Sequence, residues 1–89
     1  RCSNARIIYT IGTIYAAIWY EVMVKAKARS DADVKDLTKI FMEHLKMLTS
    51  TETLTTVYAK IKTLDTTLTN SKFTADFKAS YAAHGMTVN

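Results

Sequence analysis

Hydrophobic positions recur along this chain with the spacing of helices, and the longest such run occupies residues 7–24, IIYTIGTIYAAIWYEVMV. Ile7, Ile11, Ile14, Ile18 and Val22 fall on one helical stripe, flanked by Ile8, Tyr15 and Trp19. The opposite side carries Tyr9, Thr10, Thr13, Ala16, Ala17 and Tyr20, which is smaller and softer but hardly polar. A helix of this kind needs cover on both sides. Its residue types are also those that strands prefer, and Gly12 inside a helix costs about 1 kcal/mol. Strict alternation fails at Ile7-Ile8 and again over residues 16–20, so the pattern favours a helix. An α+β fold with residues 7–24 as a strand or hairpin is the alternative.

The rest of the chain repeats the helical period three times. Ser30 opens S-D-A-D, a capping-box pattern with acids in the first turn. Behind it, Val34, Leu37, Phe41, Leu45 and Leu48 form one face and Lys35, Asp36, Lys39, Glu43 and Lys46 the other. Thr49 and Glu52 read as the cap of a third helix, with Leu54, Val57, Tyr58, Ile61, Leu64 and Leu68 on its inner side. Asn70 and Ser71 separate it from a last segment carrying Phe73, Phe77 and Tyr81, with Gly85 as its C-cap and residues 86–89 as a tail. The expected fold is therefore all-α: one domain over residues 1–89, a bundle of about four helices near 6–28, 31–48, 50–69 and 71–84. The first helix is expected to be central or to face an oligomer.

Composition supports packing over disorder, with 48% apolar residues, 22% charged residues and no proline. Scarce glycine and proline argue against an all-β architecture. Eighty-nine residues support only a marginal core, so a partner would help stabilise it. The formal charge of +4 raises the prospect of an acidic partner, and Lys25, Lys27 and Arg29 are the candidate polyanion contacts. The same three cations also suit the end of a helix, where the dipole favours them. Cys2, the one cysteine, cannot form an internal disulfide. Arg1 in place of a starting Met suggests a processed product or a piece of a longer chain.

Residues 7–24 invite comparison with a membrane span. A helix of that length reaches about 27 Å, short of a hydrocarbon core of ~30 Å. Glu21 inside it adds roughly 2.5 to 3.5 kcal/mol to insertion. Metal and enzyme signatures are missing: there is no glycine-rich phosphate loop, CxxC, HExxH or paired ExxH. No cofactor and no small-molecule substrate are inferred.

Two polar residues fall on inner faces. Counting outward from the turns puts Asp65 level with Lys25 and Val34, so Asp65 is expected to be buried and paired with Lys25, or with Lys62 or Lys72. The same counting puts His44 level with Tyr15 and His84. The resulting expectation is a non-catalytic structural or adaptor protein, a subunit acting through protein-protein interaction or self-assembly. Tyr9, Thr10, Thr13, Ala16, Ala17 and Tyr20 form its interface. A basic module for nucleic acid or another polyanion is one alternative, and a membrane-associated subunit anchored by the first helix is another.

Overall fold

The structure, a computed structural model, describes the backbone of residues 2–89 and the side chains of residues 10–89. It is a compact all-α bundle: α1 (Cys2–Arg29), α2 (Asp31–Met47), α3 (Leu54–Thr69) and α4 (Thr74–Ala83). Residues 7–24 are helical, and no strand occurs among the described residues. The strand-forming side chains of this run are overridden by packing, because helical spacing gathers Ile18, Val22 and Ala26 into one fully buried row.

Ser30 alone separates α1 from α2. Its extended backbone turns the chain, and its hydroxyl accepts a hydrogen bond from the Asp33 N–H at 3.1 Å. So short a joint makes the two helices antiparallel neighbours. α1 packs on α2 and α4, and α3 packs on the same two, so α1 and α3 occupy opposite corners. The first helix is thus one wall of the bundle rather than its axis. Its 28 residues span about 42 Å at helical rise, which matches the molecule's long dimension of 43 Å.

The core joins Ile18, Val22 and Ala26 of α1 with Leu37 and Ile40 of α2, Val57 and Ile61 of α3, and Phe77 and Tyr81 of α4. Trp19 stands edge-on to Phe41 at 5.0 Å and to Phe77 at 4.9 Å, which joins three helices through aromatic contacts. On α2 the buried row is Leu37, Ile40 and His44, one position round from the expected stripe, and Leu45 is exposed.

Two boundaries differ from those the sequence suggests. Helix α3 begins at Leu54 rather than near residue 50, because Thr53 and Thr56 build a reciprocal capping box of their own. Thr49 and Glu52 do bond each other, but inside the connection. There the Glu52 carboxylate also takes Thr56 and Lys60. Those bonds, that of Lys60 above all, hold Glu52 at a pKa of about 2. Helix α4 begins at Thr74 rather than 71, since Asn70 and Ser71 both adopt positive φ and end α3. The tail is anchored: Val88 is buried, and the Asn89 carbonyl accepts from Lys62 Nζ at 2.6 Å.

Candidate functional site

The outer side of α1 is left uncovered by the other described helices. Thr10, Thr13, Ala16 and Tyr20 are exposed and Ala17 is half-buried, while the Tyr9 side chain lies outside the described residues. Tyr20 is 71% exposed and Val24 is also open to solvent, whereas Ile11, on the bundle-facing stripe, lines a hollow with Leu48, Leu54 and Val57. The exposure of this side follows from geometry: α2 and α4 grip α1 on two flanks, and none of the described residues covers the third.

Tyr20 stands as a ridge between two grooves. On the α1–α2 flank, Trp19, Tyr20, Met23, Thr38 and Phe41 line a hollow of about 290 Å³. Met42 and Leu45 extend this apolar surface along α2, Met42 being 54% exposed. On the α1–α4 flank, Tyr20, Glu21, Val24 and Lys25 face Ala79, Ser80 and Ala83 across a hollow of about 330 Å³. Contiguous apolar exposure of this kind marks interaction surfaces more often than scattered single residues do.

The basic cluster is divided. Lys25 and Lys27 are exposed and make no ion pair among the described residues, but Arg29 is committed to the fold. Its guanidinium bonds Asp33 at 3.1 Å and Asp76 at 2.7 Å, and Lys72 bonds Asp33 at 2.9 Å and Asp36 at 2.7 Å. Both cations also lie over the ring of buried Phe73, at 5.4 and 5.7 Å. This network ties the end of α1 to the starts of α2 and α4. The sequence signal missed it because the partners are far apart along the chain.

Asp65 is fully buried, but its partners are not lysines. Its carboxylate accepts from the Phe73 N–H at 2.9 Å, the Thr74 hydroxyl at 2.7 Å and the Thr69 hydroxyl. Lys25 stays in solvent, Lys62 holds the tail and Lys72 pairs with α2. Helix α4 has no side-chain cap from its own N-cap residue Phe73. Asp65 supplies it from α3, placing negative charge at the positive end of a helix. Hydroxyls and one amide proton thus replace the expected cation.

His44 is also fully buried, against Tyr15, Trp19 and Phe41. One ring nitrogen, Nδ1, donates to the Phe41 carbonyl at 2.5 Å, which leaves Nε2 to accept from the Tyr15 hydroxyl at 2.6 Å. Burial pushes the His44 pKa below its ordinary value and raises that of Tyr15. The ring is therefore neutral at physiological pH.

His84 does not join this pair, because it faces the α1–α4 flank. Its Nε2 bonds Glu21 Oε2 at 2.9 Å, and the Ser80 hydroxyl donates to Glu21 Oε1 at 2.5 Å. The Ser80 bond, then the His84 bond, holds the Glu21 carboxyl below the usual range. Serine, histidine and acid meet here in an order that clamps α4 onto α1. A hydrolytic relay needs the imidazole between the hydroxyl and the acid, whereas here the acid lies between. Among the described residues no cluster of three or more His, Cys, Asp or Glu side chains is placed to hold a metal ion. Among the same residues, no helix is long and apolar enough to cross a membrane.

The chain matches no family model, and comparisons with curated proteins and with solved structures find no match.

Proposed function

We propose that this is a non-catalytic structural or adaptor protein that acts through protein-protein interaction or self-assembly, as a subunit of a larger complex. The observation that carries this reading is the outer side of α1, where Tyr20 is 71% exposed beside Ala16, Thr13 and Val24. Two neighbouring helices already grip α1 and none of the described residues covers that side, which supports cover by another molecule. Small Ala16 and Gly12, one turn before it, allow a second backbone to approach closely, since the space beside the Gly12 α-carbon is open.

Particle size in the native source tests this. An assembly well above the 10.0 kDa chain, retained without detergent and lost when Ala16→Glu and Tyr20→Glu are combined, is the expected result. A native monomer contradicts the reading. A particle that exists only with detergent favours a membrane-associated subunit. One that dissolves with nuclease or about 0.3 M salt favours a polyanion-binding module, whose phosphate contacts are steeply salt-dependent.

A further inference from the structure

The α1–α2 groove combines an apolar floor with positive charge at its borders. Five of the eight acidic side chains, Asp33, Asp36, Glu43, Glu52 and Asp76, form ion pairs with Lys or Arg, Glu21 is bonded to Ser80 and His84, and Asp65 is buried with its own donors. Positive charge is consequently left over on particular lysines. Lys27, Lys35 and Lys39 are exposed and form no ion pair among the described residues. Helical spacing places these three around the groove. Lys27 follows Met23 by one turn on α1, while Lys35 and Lys39 precede Thr38 and Met42 by three residues on α2. Two carboxylates share this row: Asp31, one turn before Lys35, sits at the end of the groove beside the α1–α2 joint, and Glu43, one turn after Lys39, is paired with Lys46.

We propose that the α1–α2 groove docks an acidic amphipathic helix from a different protein, its apolar residues entering over Trp19, Met23 and Phe41 and its carboxylates reaching Lys27, Lys35 and Lys39. This rests on the proposed interaction role and names the chemistry of one partner. An apolar trough between two helices is the form that takes the i, i+3, i+4 and i+7 side chains of a third. A second copy of this chain is disfavoured here, because a symmetric contact sets each patch against its own equivalent and brings lysine rows together. A lipid surface would take up the protruding Tyr20 but not the recessed floor, where the largest ring, Trp19, is only 7% exposed.

Trp19, the only tryptophan, also reports occupancy of the groove. The test titrates the intact chain with a synthetic helix bearing leucines at i, i+3, i+4 and i+7 flanked by glutamates, and with the same helix flanked by lysines. Saturable change in Trp19 emission with the glutamate helix alone, weakened at least about tenfold by Lys27→Glu with Lys39→Glu, is expected. Both substitutions are at exposed positions without ion pairs, and an unchanged melting curve confirms an intact fold. Equal binding of the lysine helix, indifference to the charge reversal, or no binding overturns the inference. So does tighter binding to phosphatidylserine vesicles or heparin than to the glutamate helix. If the peptide fails while the native particle remains large, this inference falls and the proposed function stands. A monomeric native particle removes the proposed function itself.

Discussion

A single carboxylate can decide where a helix starts. Asp65 belongs to α3, yet its oxygens satisfy the Phe73 N–H and the Thr74 hydroxyl at the beginning of α4, a helix of only ten residues without its own side-chain cap. Three donors converge on a group with no exposure to solvent, so deleting it leaves those donors unpaired inside the protein. Asp65→Ala is expected to cost about 3 kcal/mol in urea unfolding, and Asp65→Asn less, because the amide oxygen keeps part of the acceptor set. An alanine variant as stable as the parent would show that α4 is held by Phe73, Phe77 and Tyr81 alone. Sequence placed Asp65 on the inner face correctly and named the wrong partners. The periodicity of α3 determines the face, but the donors come from a turn whose positive-φ residues, Asn70 and Ser71, carry no strong signal.

At the scale of elements, the joint between α1 and α2 was the most legible part of the chain. One capping serine, two long periodic stretches and a one-residue connection leave little freedom, and counting outward from Ser30 brings Tyr15 level with His44, which do bond at 2.6 Å. Less legible were the starts of α3 and α4, where threonines offer competing caps: Thr49 and Thr53 both have an acceptor or donor three residues on. The role of Arg29 was hidden for another reason, since Asp76 lies 47 residues away and only tertiary packing brings them together.

The Tyr15–His44 joint makes stability depend on pH. The buried imidazole has a pKa lowered from 6.5 by desolvation, so the unfolded chain takes up a proton at a pH where the folded one does not. Its contribution is complete above about pH 6.5 and is lost as pH falls from there toward the folded value. Melting temperature is therefore expected to fall between about pH 7 and 5, and His44→Gln to flatten that slope. A slope unchanged by the substitution would mean that another group carries it.

For the whole molecule, shape and charge point the same way. A 28-residue α1 sets the long dimension of the protein, is gripped by α2 and α4, and keeps an apolar side open. Three of the exposed lysines without an ion pair among the described residues, Lys27, Lys35 and Lys39, border its groove with α2. Small helical bundles have little core to spare, and exposing such a surface permanently would favour aggregation. The central claim is that the outer side of α1 is covered only in the protein's working assembly. Chemical labelling of tyrosines tests it most directly, because Tyr20 is 71% exposed in the single chain and Tyr81 only 1%. The account predicts that Tyr20 reacts rapidly in the isolated chain and is protected in the native particle, while Tyr81 resists labelling in both. Equal labelling of Tyr20 in the isolated chain and in the native particle would contradict it.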